Sequence, residues 1–394
     1  EWYDQELKKH FEVRGRERLT PTHPLSYLNM RLTCDNSGNL FIDNEQKICD
    51  YLMEEGMQDC NPVAVPITKE LIKNIHEGDN KPLPEQEATR FRKGGGMIGW
   101  LNESTHPVLC VLRSIMGSCN ANPITGCMEL LKHAQRFLQG VKRRCIVVNP
   151  DNNHGLEGFV DSDWAGMYSI MGDPRSRTGI YWTYNEVPII YKSSFQNCKA
   201  TQCDRSKEIL ELLDQCLDDI RICEDSIIAQ SSTEAETWSL AEGCKLGKHL
   251  VHLCQELGIV FPNPMVVCTD STGAIGFARN NGGTSRMKHI DIREAWVQQL
   301  REKKELEIKH IPGTENPADF FTKILPRPAT LAAMNRMMGE LKPDAEDKTM
   351  GKECTIQGGV VDELECDLDP KVDAHAERAR KAGETQGSKG MELE

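Results

Sequence analysis

The feature that most constrains the fold is the order of hydrophobic patterns in the second half of the chain. Apolar and aromatic runs at 158–160, 178–184 and 187–191 predict three antiparallel strands. Further patterns predict helices at 233–257, 272–279, 291–303 and from Pro317 onward. They predict strands at 265–269 and 306–311. The order β-β-β-α-β-α-α-β-α predicts an α/β domain whose sheet combines three antiparallel strands with later parallel strands.

The first 150 residues have a different texture. The turn sequence Asn36-Ser37-Gly38-Asn39 separates short apolar runs and predicts a hairpin, followed by a helix at 46–55. A polar linker with proline is predicted at 68–87. Apolar residues at helical spacing then predict two helices, the second ending at Gly140. We therefore expect a smaller α+β and helical region before the α/β domain.

The end of the chain lacks the means to build a core. From about residue 341 it contains no Phe, Trp or Tyr, and Asp, Glu, Lys, Gly and Gln dominate. Such a composition cannot offset the entropy lost on ordering, so 329–394 is predicted to be a disordered tail. The sequence also has no apolar run of the length that a membrane span needs, and its charged start does not suit a secretory signal.

Cysteines and charge narrow the functional class. The sixteen cysteines are scattered and form no CxxC pair, which favours reduced thiols in the cytoplasm or nucleus over a disulfide scaffold or a zinc site. The net charge of −13 weighs only moderately against nucleic-acid binding. Charge acts locally, and a nuclease that uses two metal ions must itself gather carboxylates.

Four carboxylates stand where such a domain would present them. Asp161 ends the first strand, Glu236 opens the long helix, Asp270 ends the strand 265–269 and Asp319 starts the final helix. Ligand sites form at this edge of open α/β sheets. Four convergent carboxylates fit two Mg²⁺ ions, with Mn²⁺ as the alternative, because hard cations prefer oxygen ligands. Each one alone also fits a turn former or a helix N-cap.

Five segments in order resemble the ribonuclease H domain of copia-type long-terminal-repeat retrotransposons. They are Val160-Asp161-Ser162-Asp163-Trp164-Ala165-Gly166, Ser231-Ser232-Thr233-Glu234-Ala235-Glu236, Cys268-Thr269-Asp270-Ser271-Thr272-Gly273-Ala274-Ile275, Lys288-His289-Ile290-Asp291-Ile292-Arg293 and Ala318-Asp319-Phe320-Phe321-Thr322-Lys323. The resemblance implies a ribonuclease H-like fold. It also implies a catalytic, metal-binding set at Asp161, Glu236, Asp270 and Asp319.

Two of these assignments have neighbouring alternatives. Asp163 lies two residues beyond Asp161 and shares its face if the strand continues. Glu234 lies two residues before Glu236 and points about 200° away around a helix. We favour Asp161 and Glu236, because Glu234 fits a capping role at the helix start.

Two histidines are auxiliary candidates. The broader class often has a loop histidine shortly before the last aspartate, and His310 precedes Asp319 by nine residues, although its surroundings predict a strand. His289 fits either packing at a helix start or contact with nucleic acid.

A basic cluster is the candidate nucleic-acid surface. It could hold phosphates or form a merely solvated face, and both interpretations stay open. Its members are Arg279, Arg286, Lys288 and Arg293.

The first 150 residues resemble the same elements after the reverse-transcriptase palm, in the thumb or connection. The palm motif of Tyr, a variable residue and two Asp does not occur, so we expect no polymerase active site in this fragment. The predicted division is a reverse-transcriptase remnant at 1–150, a ribonuclease H-like domain at 151–328 and the tail at 329–394.

One departure from the resemblance is large. Where the family has a short connection before Ser231, this chain has an additional segment at about 197–225 with eight acidic and four basic residues. It is either a real insertion or a misjoined stretch of the coding sequence.

The expected function is cleavage of the RNA strand of RNA–DNA hybrids by two-metal hydrolysis, as part of a retrotransposon Pol polyprotein. The expected location is the cytoplasm, in virus-like particles, or the nucleus, with no membrane partner. The rival is a decayed or co-opted remnant that binds nucleic acid or protein without turnover. An integrase-like core fits less well, because its last acid is usually Glu rather than an Asp such as Asp319.

Overall fold

The computed structural model describes residues 17–171, 173–196, 231–259, 261, 264–279 and 292–341. The described chain up to Leu341 forms one compact unit. Within it, strands assemble into two five-stranded sheets. None of its described helices is long and apolar enough to cross a membrane.

The first sheet is antiparallel throughout. Its strands, in chain order, are β1 (Leu25–Tyr27), β2 (Met30–Cys34), β3 (Leu40–Asp43), β4 (Arg144–Val148) and β10 (Gly339–Glu340). They are hydrogen-bonded in the order β1-β2-β3-β4-β10. The predicted hairpin is confirmed as β2 and β3, and Gly38 in its turn has a positive φ of 84°, a conformation that glycine adopts without strain.

Helices follow β3 and cover the interior of this first region. They are α1 (Glu45–Glu54), α2 (Lys69–Glu77), α3 (Glu85–Ser104), α4 (Cys110–Cys119) and α5 (Thr125–Val141). The predicted helix after the hairpin is confirmed as α1. The predicted linker at 68–87 is wrong over α2, because the Thr68 side chain caps this helix and Ile72 and Ile75 are buried.

The prediction of two helices between the linker and Gly140 is also wrong. Three helices occupy this stretch, because Pro107 opens a short 3-10 helix, Pro107–Leu109, between α3 and α4. Proline supplies no backbone N–H for an α-helix that would run through this position.

The second sheet has the predicted mixed architecture. Its strands are β5 (Leu156–Asp163), β6 (Arg177–Tyr184), β7 (Val187–Phe195), β8 (Met265–Thr269) and β9 (Leu306–His310), and its helices are α6 (Tyr168–Met171), α7 (Ser232–Glu256), α8 (Thr272–Arg279) and α9 (Ile292–Glu302). The strand order is β7-β6-β5-β8-β9. The first three strands pair antiparallel and β5, β8 and β9 pair parallel, which confirms the α/β prediction.

The chain continues in regular structure past the predicted tail boundary. The final predicted helix is a short 3-10 helix, Pro317–Phe321, followed by α10 (Arg327–Met337) and then β10. Residues from 329 to 341 are thus folded, because α10 and the residue after it bury Met334, Met337 and Met338. The rest of the predicted tail lies outside the described residues.

The two faces of the second sheet belong to two hydrophobic clusters. Phe159 and Tyr181 join the cluster of the first region, whereas Val160 and Trp182 pack in the cluster that contains α7. Alternating strand residues point to opposite faces, so β5 serves both clusters. A Cβ on Gly243 would overlap Val160, so glycine lets α7 lie close to β5.

Candidate active site

Three of the four predicted carboxylates converge. Asp161 lies near the end of β5, Glu236 in the first turns of α7 and Asp270 directly after β8. Each offers an oxygen, and these oxygens all lie within 4.8 Å of one another. Phe159 pairs with Cys268 in parallel strands, and Asp161 and Asp270 each follow two residues later. Both acids therefore lie at the same end of these two strands.

Hydrogen bonds hold the start of α7 against the sheet. The Ser231 side chain accepts from the Glu234 backbone N–H at 3.2 Å and caps the helix. The Gln196 amide donates to the Ala235 carbonyl at 2.9 Å and to Thr178 Oγ1 at 3.2 Å. These bonds tie the first turn of α7, which precedes Glu236, to β6.

Asp319 reaches the site from a different element. It lies in the 3-10 helix Pro317–Phe321, whose N-cap is Asn316. The Asn316 side-chain amide donates to the Val160 carbonyl at 2.9 Å, and its oxygen accepts from the Ala318 N–H. The 3-10 helix that carries the fourth carboxylate is therefore anchored to β5 through Asn316.

Lys323 connects Asp319 to the other acids. Its Nζ lies 2.6 Å from Asp319 Oδ1 and 3.3 Å from Asp161 Oδ2. The Thr322 hydroxyl also donates to Asp161 Oδ2. Asp161 is buried, and these two neighbours satisfy the oxygen that faces Asp319.

The charges in the site shift one another's protonation. Burial, together with the charges of Asp161 and Asp270, raises the pKa of Glu236 to about 9. Burial and the charge of Asp161 raise the pKa of Asp319 to about 6. Burial lowers the pKa of Lys323, but Asp161 and Asp319 outweigh it, so the net shift is upward and the ammonium stays charged.

The donor set fits a divalent metal ion. Glu236 Oε2 is buried, and among the described residues it has no hydrogen-bond partner. A buried carboxylate oxygen left in this state is costly, and a cation would satisfy it. Three hard oxygen donors at one edge suit Mg²⁺ or Mn²⁺, and Asp161, Glu236 and Asp270 are the residues that would hold it.

The structure separates the favoured acids from their neighbours. Glu236 lies in the acidic group, whereas Glu234 is buried two residues earlier at the capped helix start. Asp163 ends β5, and its carboxylate packs against Gly166, where a Cβ would overlap it. Burial raises the pKa of Asp163. The catalytic roles of these residues stay predictions.

The structure describes some of the auxiliary and basic candidates and not others. His310 ends β9 beside Thr269 and is exposed, in the strand that the sequence predicts. Arg279 ends α8, and its carbonyl accepts from Arg301 Nη2 at 2.9 Å. Some predicted residues lie outside the described residues or have side chains outside them: Arg286, Lys288, His289, Arg293 and the segment 197–225. The proposed basic surface and the insertion therefore stay predictions.

Three residues of the site were missed at the sequence level: Asn316, Thr322 and Lys323. Lys323 carried a readable signal, because it follows Asp319 by four residues, a spacing at which opposite charges pair on a helical turn. Its second partner, Asp161, is 162 positions away in the sequence, and no local sequence pattern predicts that contact.

The chain is similar in sequence to Pol polyproteins of plant transposons. It is 25% identical over 325 residues to the retrovirus-related Pol polyprotein from transposon TNT 1-94 of Nicotiana tabacum, covering 82% of this chain and 22% of that protein. It is also 25% identical over 345 residues to the Pol polyprotein from transposon RE2 of Arabidopsis thaliana, covering 84% and 21%. The chain is related to retrotransposon Pol polyproteins. The resemblance predicted from its motifs is confirmed.

The Pol-related chain spans about a fifth of the length of these relatives. No protein-family model matches it. Among solved structures, LC11-RNase H1 in complex with an RNA/DNA hybrid has a TM-score of 0.24 at 11% identity, covering 41% of this chain and 88% of that one. A foamy viral protease-reverse transcriptase in complex with double-stranded DNA has a TM-score of 0.36 at 10% identity, covering 73% and 38%.

Proposed function

We propose that this chain is a metal-dependent endoribonuclease that cleaves the RNA strand of RNA–DNA hybrids within a retrotransposon Pol polyprotein. The observation that carries the proposal is the convergence of Asp161, Glu236 and Asp270, with the buried Glu236 Oε2 left without a hydrogen bond among the described residues. The relationship to Pol polyproteins supplies the context in which such a site acts on a hybrid.

The residues of the site have distinct roles in this proposal. Asp161, Glu236 and Asp270 hold Mg²⁺, and Asp319 completes the acidic end of the sheet. When bound, the metal lowers the pKa of water and neutralises charge on the phosphate. Asn316 fixes Asp319 against β5, and Thr322 orients Asp161 by donating to its carboxylate. Recognition would follow the A-like shape and 2′-hydroxyls of the hybrid, with little sequence preference.

Cleavage of a labelled RNA–DNA hybrid tests the proposal. The wild-type chain should cut the RNA strand with Mg²⁺ or Mn²⁺ and stop when a chelator is in excess. Asp270→Asn keeps the size of the side chain and removes the charge that holds the metal, so we expect cleavage to fall at least ~10³-fold with little loss of fold. Circular dichroism would verify the fold.

Asp50→Asn is the matched control, because Asp50 is an exposed residue of α1 that accepts from the Gln46 amide at 2.8 Å and lies outside the acidic group. It should cleave like the wild-type chain. Full cleavage by the Asp270 variant, or cleavage in excess chelator, would refute the assignment. Hybrid binding without cleavage by the wild-type chain would favour the catalytically decayed remnant instead.

A further inference from the structure

The acidic end of the second sheet contains two cation positions of unlike character. One is bounded by Asp161, Glu236 and Asp270, whose oxygens lie within 4.8 Å of one another. The other lies between Asp161 and Asp319 and already contains a cation, the Lys323 ammonium, at 3.3 and 2.6 Å from their oxygens. The carboxylate Asp161 takes part in both.

A divalent ion and the ammonium cannot share the second position. A Mg²⁺ ion bonds oxygen at about 2.0–2.1 Å, and an ion that bridges Asp161 Oδ2 and Asp319 Oδ1 would bond the same two oxygens that Lys323 now contacts. Two cations that contact the same two oxygens lie close together and repel each other strongly in a partly buried site. Binding there must move Lys323 away.

The geometry of Lys323 allows that movement. Its side chain is 38% exposed, so it reaches the site from the solvent side rather than from the core. A lysine carries its charge at the end of a flexible four-carbon stem, which can swing into water without a change of backbone. Asp161 accepts from the Thr322 hydroxyl, and Asn316 holds the 3-10 helix that carries Asp319 to β5, so neither of these bonds depends on the ammonium.

We propose that Lys323 is a built-in counter-cation that occupies the position between Asp161 and Asp319 and must be displaced before a second divalent ion binds there. The inference rests on the proposed metal-dependent function. Metal loading is then sequential: the first ion binds at Asp161, Glu236 and Asp270, and the second binds more weakly because it competes with Lys323. In the metal-free protein the same ammonium stabilises the acidic cluster.

Titration of the full chain with Mn²⁺ alone, followed by calorimetry and by the electron paramagnetic resonance signal of free Mn²⁺, tests the proposal. The wild-type chain should show one tighter and one weaker binding step. Lys323→Met should strengthen the weaker step about tenfold, a change of ~1.4 kcal/mol, and lower the melting temperature of the metal-free protein. Lys323→Arg keeps the charge and should retain the weak second step.

Lys309→Met is the matched control, because Lys309 is a lysine of β9 whose nearest acid, Glu307, lies 3.9 Å away and outside the cluster. Its Mn²⁺ titration should match that of the wild-type chain. A Lys323→Met titration that superimposes on the wild-type curve would overturn the proposal.

A second measurement uses the unaltered chain and stays decisive should the methionine variant not fold. Acetylation of lysines is quantified by mass spectrometry as Mn²⁺ is raised. Modification of Lys323 should increase across the second binding step while that of Lys309 stays level, and a constant Lys323 signal would overturn the proposal. Different results would count against the proposed function. They are a first Mn²⁺ step that Asp270→Asn leaves unchanged, or no binding of Mn²⁺ to the wild-type chain.

Discussion

The interior of the first region and the acidic end of the second sheet differ in the buried polar groups that they contain. In the first region, His106 is fully buried, yet Thr105 Oγ1 and the Val141 carbonyl contact its two ring nitrogens. At the acidic end, Glu236 keeps a buried oxygen without a partner among the described residues. The first region also has buried oxygens without a partner among the described residues, but they belong to the neutral amides of Asn102 and Gln135. The difference is therefore one of charge, because the acidic end gathers carboxylates that a cation would neutralise.

The largest expected effect concerns residues 329–341, which follow the second sheet in the chain and return to the first. A chain that ends at 328 lacks the buried Met334, Met337 and Met338 and the pairing of β10 with β4. Burial of each methionine contributes ~1.5–3 kcal/mol, so we expect a loss of about 5 kcal/mol or more in the free energy of unfolding. A chain that ends at 341 is the control and should keep its stability in urea denaturation. Equal midpoints for both truncations would show that residues 329–341 do not stabilise the fold.

The next effect separates stability from function at the acidic end. Glu236→Gln removes a carboxyl group whose ionised form is disfavoured by burial and by neighbouring charges. The free energy of unfolding of the metal-free protein should therefore increase. Loss of a metal ligand should lower hybrid cleavage ~10³-fold. Glu242→Gln, on the same helix and paired with Lys192 at the surface, should change stability by less than about 1 kcal/mol. Lower metal-free stability in the Glu236 variant would contradict this interpretation of the site.

A smaller effect is the response to pH, which should have opposite signs in the two regions. Burial lowers the pKa of His106 from 6.5 to about 4. The unfolded chain takes up this proton first, so stability falls as the pH drops from about 6.5 to 4, by about 3 kcal/mol for this group. The pKa of Glu236 is instead raised from 4.5 to about 9. Its contribution in metal-free protein is present below pH 4.5 and is lost as the pH rises toward 9.

Urea denaturation between pH 4 and 9 in the presence of chelator would separate the two responses. His106→Gln should flatten the acid side of the curve, and Glu236→Gln should flatten the alkaline side. Identical pH profiles for wild type and His106→Gln would contradict the assignment of the acid side to this histidine.

The smallest expected effect concerns the segment 197–225, which lies outside the described residues. Its eight acidic and four basic residues give it four excess negative charges shortly before Glu236 in the sequence. Deleting it should leave the fold intact, because each doubling of loop length costs only ~0.6 kcal/mol. Affinity for a hybrid should rise roughly threefold at low salt and less at high salt, because salt screens the repulsion of phosphates. Unchanged or weaker binding after deletion would make the segment an integrated part of the domain.

Much of the second sheet was predictable because its signals are local. Alternating apolar residues in β5 and β6 and helical periodicity in α7 are properties of neighbouring positions. The turn at Gly38 and the helix α1 were predictable for the same reason. The acids Asp161, Glu236 and Asp270 stood out because each ends or opens a regular element. Two errors in the first region concern the helix α2, whose buried Ile72 and Ile75 stand among polar residues, and the break at Pro107, which lies within a run of apolar residues.

The sequence by itself determined the element order of the α/β domain, its relationship to Pol polyproteins and the identity of the candidate acids. Only the tertiary structure decided which acids share a position, that Lys323 lies between Asp161 and Asp319, and that β10 completes the first sheet beside β4. Each of these contacts joins residues far apart in the chain. Such contacts form when distant elements pack together to bury apolar surface, and no pattern of neighbouring residues encodes which distant partner an element meets.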